Sequence, residues 1–194
     1  MASERDLPRV ILASASSRRH ELLSHILSNF EVQTADIDET PQSDELPAAL
    51  VGRLAKSKAL AIWNKNPDAI VIGADTIVTL GHEIFGKPKS QNDSIAILKK
   101  LSEKRHTVMT GVAIISASKN LSKVVKTEVE FACLSTKQIQ NYWQTGEPQD
   151  KAGSYAIQGI GGKFVKQITG SYSNVVGLPL VETQLMLAEM GIHE

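Results

Sequence analysis

Ala69-Ile70-Val71-Ile72-Gly73-Ala74-Asp75-Thr76-Ile77-Val78-Thr79-Leu80 contains two β-rich runs separated by Gly73 to Asp75. The first run is apolar throughout, the pattern of a buried strand, and Gly73 to Asp75 then reads as its end. A carboxylate at the end of a buried strand stands where open α/β sheets gather catalytic groups. Asp75 is therefore either such a group or a turn-forming, helix-capping aspartate. The second run ends at a Gly81-His82 turn leading into Glu83-Ile84-Phe85.

Upstream, Pro47 to about Trp63 carries Val51, Leu54, Ala55 and Ile62 on one helical stripe, and Lys58 lies on the same stripe. An ammonium there must snorkel, pair with a carboxylate or face a polar pocket. Further upstream, Arg9 to Ala13 reads as a short buried strand. The segment from Ser14 to Leu27 reads as a polar turn and a helix presenting Leu22, Leu23, Ile26 and Leu27. Phe30, Val32 and Thr34 alternate as in a strand, and Asp36 to Glu45 is a polar loop.

Downstream, Ser90 and Ser135 open two helices with capping-box spacing. Between them His106–Ser116 and Lys123–Leu134 read as long strands joined near Ser118 to Asn120, an antiparallel pair. The sheet is therefore expected to be mixed. The last third is dense in glycine and closes with a helix from near Pro179 to Gly191. Its 194 residues, 42% hydrophobic and 22% charged, suit one domain over 1–194, without repeat or linker.

Lys plus Arg and Asp plus Glu are both 21, which argues against a nucleic-acid-binding protein with a global basic field. Positive charge for a polyanion has to be gathered locally. The single cysteine, Cys133, excludes an internal disulfide and multi-cysteine zinc; its apolar surroundings suggest a core residue. The charged opening MASERDLPRV lacks the apolar core of a signal peptide, and no apolar run reaches transmembrane length. A cytoplasmic protein without a membrane or nucleic-acid partner is expected.

Several residues could carry chemistry. Ser14-Ala15-Ser16-Ser17-Arg18-Arg19, between strand and helix, offers backbone N–H groups, hydroxyls and two guanidiniums to an anion. The plainer reading is a serine N-cap followed by solvated arginines. Lys87 sits in the stiff Phe85-Gly86-Lys87-Pro88 turn, as either a functional cation or an exposed loop lysine. Asp36, Asp38 and Glu39 supply hard oxygen donors of the kind Mg²⁺ prefers, although such acids are commonly solvated. The five histidines lack metal-ligand spacing, and the Gly159–Phe164 segment fits neither a P-loop nor a dinucleotide fingerprint.

Taken together, these segments resemble the Maf-like nucleotide pyrophosphatases. The likeness runs from Leu12-Ala13-Ser14-Ala15-Ser16-Ser17-Arg18-Arg19 through Asp36-Ile37-Asp38-Glu39-Thr40, Arg53-Leu54-Ala55 with Lys58-Ala59, Gly73-Ala74-Asp75-Thr76, Gly86-Lys87-Pro88 and Thr110-Gly111-Val112-Ala113. It continues in Gly146-Glu147-Pro148, Asp150-Lys151-Ala152-Gly153, Ile157-Gln158-Gly159, Gly170-Ser171-Tyr172 and Asn174-Val175-Val176-Gly177-Leu178-Pro179. Ser17 departs from the family, which usually has proline there.

The resemblance implies an α/β fold shared with the Ham1-type inosine-triphosphate pyrophosphatases: a mixed central sheet flanked by helices, with two lobes around a cleft. It implies cleavage of a nucleoside triphosphate between the α and β phosphates with Mg²⁺ or Mn²⁺, often by a homodimer. By the same likeness Asp75 is the proton acceptor and Glu39 joins it in the catalytic and metal cluster. Ser14, Arg19, Lys58 and Lys87 contact phosphates, and Arg18, Thr76 and Gln158 bear on base choice. Gln158, in place of a glutamate, points to dTTP, UTP and modified relatives: an amide can accept from N3–H while donating to a neighbouring carbonyl. A nucleotide-binding regulator of cell division without turnover is the alternative.

Overall fold

The computed structural model describes residues 8–193. Most of the charged opening, read above as unlike a signal peptide, lies outside them. Seven strands form one mixed sheet in the order β2-β1-β3-β5-β6-β7, with β4 also on β3. The strands are β1 (Val10–Ala13), β2 (Glu31–Val32), β3 (Ile70–Leu80), β4 (Glu83–Phe85), β5 (Arg105–Ile115), β6 (Asn120–Phe131) and β7 (Val165–Thr169). β1 is parallel to both β2 and β3; every other pairing is antiparallel. The helices are α1 (Ser17–Leu23), α2 (Pro47–Trp63), α3 (Gln91–Leu101), α4 (Thr136–Gln144), α5 (Tyr172–Val176) and α6 (Leu180–Glu189). Among the described residues no helix is long and apolar enough to cross a membrane.

β3 does not end at Gly73. It runs unbroken through Asp75 to Leu80, paired with β5 from Val71↔Ile115 to Thr79↔Thr107. The strand that ends there is its neighbour, since β1 stops at Ala13↔Gly73 and β4 takes up the same edge only from Val78. Ala74 to Ile77 therefore form a gap between two partners on that edge, and Asp75 lies in mid-strand beside the gap.

The glycine has a packing cause. A Cβ on Gly73 would stand 2.3 Å from the Ala55 carbonyl oxygen, and one on Gly111 2.5 Å from that of Val51. Helix α2 thus crosses β3 and β5 at near-backbone contact, with Ala55 and Ala59 keeping its own face small. Strand periodicity then sorts the side chains. Ile70, Ile72 and Ala74 face a core with Leu22, Leu23, Met186 and Leu187, whereas Val71 packs with Ala55, Ala59 and Ile62 of α2. A third cluster unites the far ends of β3, β5 and β6 with α3 and α4 around Phe131, Tyr142 and Phe164. The cleft opens between this end and α1–α2.

Local chemistry follows the sequence in most places. Ser135 and Gln138 form a full capping box on α4; on α3 the Ser90 hydroxyl caps Asp93, but the Asp93 carboxylate turns to the Lys89 N–H. Further expectations are corrected. The Phe30–Thr34 strand shrinks to two exposed residues at the sheet edge. Helix α1 stops at Leu23, although Leu27 is still buried through a following turn. Cys133 is exposed, because the chain leaves the sheet after Phe131. The glycine-rich third, read as loops, also contains β7 and α5.

Candidate active site

Ser14, Arg18, Arg19, Glu39, Lys58, Asp75, Thr76, Lys87 and Gln158 all line one cleft of about 910 Å³. They come from the β1–α1 junction, the acidic loop, α2, β3, the turn after β4 and the segment before Ile160. Lys58 Nζ lies 2.7 Å from Asp75 Oδ1 and 2.7 Å from Glu39 Oε1. The ammonium neither snorkels nor stands alone: it bridges the two carboxylates. Lys58 and Asp75 side chains are only 12% and 11% exposed, against 58% for Glu39, so the ion pair runs from the cleft floor to its rim.

Asp75 reaches Lys58 because it shares the α2-facing side of β3 with Gly73. Thr76 points to the opposite face, toward α1, where it meets Arg19. Arg19 Nη2 donates to Thr76 Oγ1 at 2.9 Å, Nη1 to Ser14 Oγ at 3.4 Å and Nε to the Gly177 carbonyl at 2.8 Å. Burial holds the Arg19 pKa below its ordinary value, opposed by Asp75. Three of its five N–H groups are spent on the protein, leaving two for an anion.

The Thr76 hydroxyl has a fixed polarity. Thr110 Oγ1 donates its one proton to the Asn174 carbonyl at 2.9 Å, so in the 2.9 Å contact between the two threonines Thr76 is the donor. Thr76 also accepts from Arg19, and a ligand approaching it therefore meets only an acceptor. This network gives the Asn174-Val175-Val176-Gly177 motif a physical meaning. Asn174 Nδ2 donates to Val108 O and Thr127 Oγ1, which ties α5 to β5 and β6 and so presents the Gly177 carbonyl to Arg19.

In the β1–α1 turn, Ser14 Oγ accepts from the Ser16 N–H and Ser16 Oγ from the Arg19 N–H. The serine N-cap is thus present and uses the Ser16 and Arg19 N–H groups, while Ser14, Arg18 and Arg19 still line the cleft. Ser17 is the first helical residue and exposed, the position at which proline is accepted without cost. The Arg18 Nε is buried without a hydrogen-bond partner among the described residues. Burial lowers the Arg18 pKa, opposed by Asp150, Tyr142 and Glu147. Lys87 is exposed at the rim.

Other participants had escaped the sequence reading. Arg53 on α2 grips Glu45 with Nε to Oε1 at 2.7 Å and Nη2 to Oε2 at 2.8 Å, and Nη2 also donates to the Thr40 carbonyl at 3.1 Å. One helix thus holds the loop at Thr40, beside Glu39, and at its C-terminal end. The grip keeps the Glu45 carboxylate acidic, down to about 2. Lys151 lines the cleft in an ion pair with Asp150. Glu147 had stood in a motif without a role, and its carboxylate organises the segment after Gln158.

The donor set suits a hard divalent ion. Two carboxylate oxygens share one ammonium, so they can be no farther apart than twice 2.7 Å. Among the described residues no three His, Cys, Asp or Glu side chains converge on one point. Two carboxylates are what Mg²⁺ commonly takes from a protein when a substrate's phosphates supply further oxygens. The cleft lining also has Glu39, Asp75, Glu147 and Asp150 against Arg18, Arg19, Lys58, Lys87 and Lys151. That near balance leaves the lining little net positive charge to set against a polyanion.

A Maf-like protein family model matches residues 9–190. A dTTP/UTP pyrophosphatase of Pseudoalteromonas atlantica is 52% identical over 190 residues, covering 95% of this chain and 99% of that protein. The protein of the same name from Shewanella oneidensis is 50% identical over 94% and 98% of the two chains, and that of Myxococcus xanthus 48% over 96% and 95%. The solved structure of a HAM1 protein from Coxiella burnetii superposes with a TM-score of 0.50 at 15% identity, over 94% of this chain and all of that one. That likeness concerns the fold alone and agrees with the mixed sheet and its flanking helices. By the length and level of these matches, the chain belongs to the Maf-like family.

Proposed function

We propose that this protein is a nucleoside triphosphate pyrophosphatase. It hydrolyses dTTP, UTP and modified pyrimidine triphosphates between the α and β phosphates, giving the monophosphate and pyrophosphate. The observation that carries the reading is the convergence of nine residues from six segments on one cleft, with Lys58 between Glu39 and Asp75. The names of relatives about half identical along nearly their whole length support the same substrates.

In this reading Asp75 orients a water molecule and takes its proton, held in place by Lys58 and by β3 on the cleft floor. Arg19, Lys58 and Lys87 meet phosphate oxygens, and Ser14 donates its hydroxyl to them. Their charge counters the negative charge that grows on the departing pyrophosphate. Mg²⁺ or Mn²⁺, held by Glu39 and Asp75, would neutralise phosphate charge and polarise the phosphorus being attacked. No covalent nucleophile is required. Gln158 accepts from N3–H of uracil or thymine and donates to a carbonyl beside it, while the acceptor-only Thr76 hydroxyl and Arg18 complete the base environment.

A substrate from the free nucleotide pool suits a cytoplasmic protein needing no membrane or nucleic acid, and the charge-balanced, nearly cysteine-free sequence supports that location. Homodimer formation belongs to the same reading and is tested by light scattering. The deciding experiment is product analysis with a panel of triphosphates and Mg²⁺. Monophosphate and pyrophosphate, fastest from dTTP and UTP and suppressed by a chelator, are expected. Orthophosphate with a nucleoside diphosphate, or tight binding without turnover, overturns the proposal; the second result favours the nucleotide-binding regulator.

A further inference from the structure

Glu147 makes more contacts than a solvated loop acid would. Its Oε1 accepts from the Tyr142 hydroxyl at 2.6 Å and from the Gly161 N–H at 2.9 Å, and its Oε2 accepts from the Ile160 N–H at 2.8 Å. The Tyr142 hydroxyl in turn accepts from the Ala156 N–H at 3.1 Å. Gly159 is pressed against the same carboxylate, since a Cβ there would stand 2.2 Å from Glu147 Oε2. The five-residue span from Ala156 to Ile160 is thus pinned at both ends by one tyrosine–glutamate pair. At its centre, exposed to the cleft and with no protein hydrogen bond of its own among the described residues, is Gln158.

From this geometry we infer that Glu147, acting with Tyr142, is the positioning residue that sets base selectivity by fixing the backbone on which Gln158 is presented. The inference rests on the reading that Gln158 meets the base. An amide reads a base edge only if its oxygen and nitrogen are held in register, because a shifted or turned amide serves cytosine as well as uracil. The exposed side chain has no internal bond to set that register, so the backbone beneath it must do so. Three further observations agree. Burial and the Glu147 carboxylate raise the Tyr142 pKa, which keeps the phenol protonated as the donor to Glu147. The Glu147 pKa is pushed up by burial but held lower overall by the Tyr142 hydroxyl and the Gly161 and Ile160 N–H groups, so the acid stays ionised as their common acceptor. Glu147 also lies near enough to oppose the burial of the Arg18 charge, which joins the span to the other residue associated with base choice.

The test is discrimination between bases. kcat and KM for UTP and CTP are measured in the unsubstituted enzyme, Tyr142→Phe, Glu147→Gln, Gly159→Ala and Gln158→Ala, and in Tyr142→Phe combined with Gln158→Ala. Thermal melts accompany each. Tyr142→Phe removes one hydroxyl from a buried ring and is the variant that keeps the inference testable if Glu147→Gln fails to fold. Expected is a fall of about three- to tenfold in the UTP-to-CTP ratio of kcat/KM, the size of one lost buried hydrogen bond. The fall should lie chiefly in KM, and Tyr142→Phe should change the ratio no further once Gln158 is alanine. Equal losses for both nucleotides, or additive effects in the double variant, overturn the inference while leaving the pyrophosphatase reading intact. An unsubstituted enzyme with no preference for UTP over CTP removes the base reading and the inference with it.

Discussion

Lys58 Nζ and Asp75 Oδ1 are 2.7 Å apart at the one place where the edge of β3 is left between two partner strands. The pair depends on two glycines distant in sequence, because α2 can bring Lys58 down to Asp75 only by crossing Gly73 and Gly111 at backbone contact. Fold and site are here the same contact. A lysine on a buried helical stripe costs stability unless compensated, and its compensation is the carboxylate proposed to handle the water.

Asp75→Asn preserves volume but turns an acceptor of Lys58 into an amide and removes the proposed base. Turnover should fall at least about a hundredfold, the scale of lost general-base catalysis. The melting curve should stay cooperative. Lys58→Ala should also lower turnover, because it leaves Glu39 and Asp75 without their shared counter-charge. Near-normal turnover in pure Asp75→Asn would take that residue out of the chemistry.

Gly73→Ala tests the packing origin of the site. Its Cβ would meet Ala55 O at 2.3 Å and Ala59 N at 2.7 Å, both backbone atoms that cannot rotate aside. A loss of about 1–3 kcal/mol is expected from overpacking, with reduced activity as α2 moves away from Asp75. Gly86→Ala is the control for stability, since nothing lies within 4 Å of the Cβ it would add. Equal melting temperatures for the two variants would show that α2 does not rest on Gly73 as described.

Arg53 is expected to matter through Glu39, which it does not touch. Its fork on Glu45 and its bond to Thr40 O secure the acidic loop to the helix that carries Lys58. Lysine cannot reproduce three bonds in one plane, so Arg53→Lys should lower kcat/KM by about tenfold, with a smaller effect on melting. The half-saturating concentration of Mg²⁺ should rise with it. A variant with unchanged kinetics would mean that the loop holds Glu39 without the clamp.

What could be read in the sequence was whatever is encoded within one turn or one pleat. The α2 stripe, the serine caps and the β5–β6 hairpin were legible because their determinants lie within a few residues of each other. β3 was misread at Gly73 to Asp75 because glycine and aspartate are breakers locally, whereas the helix passing over Gly73 and the β5 strand pairing Asp75 with Gly111 come from elsewhere in the chain. The exposed pattern of β7 has no apolar face to announce it; it is a strand because β6 offers it an edge. All nine candidate side chains reach the cleft, yet the residues that hold them were silent. Arg53, Thr110 and Glu147 are ordinary polar residues until their partners, five to 64 positions away, are in view.

His106 should make the protein sensitive to mild acid. The ring is buried beneath the cleft, with Nε2 2.9 Å from the Tyr155 hydroxyl, Nδ1 unpartnered among the described residues, and Phe131 edge-on at 4.7 Å. Burial pushes its pKa down from 6.5 to about 4. An unfolded chain binds a proton here near pH 6.5, while the folded protein resists until about pH 4. Between these values the unfolded state holds more protons, so stability is complete above about 6.5 and declines as the pH falls. The decline should reach on the order of 3 kcal/mol by pH 4. Glu45 has the same sign but a lower window, from 4.5 down to about 2, so the range from pH 7 to 5 isolates the histidine. Melting temperature should therefore drop between pH 7 and 5, and the slope should flatten in His106→Phe, which keeps a ring of similar shape but cannot titrate. Because that variant also loses the bond to Tyr155, its absolute melting temperature is not the readout; the difference between the two pH values is. A slope shared by both proteins would assign the acid sensitivity to another group.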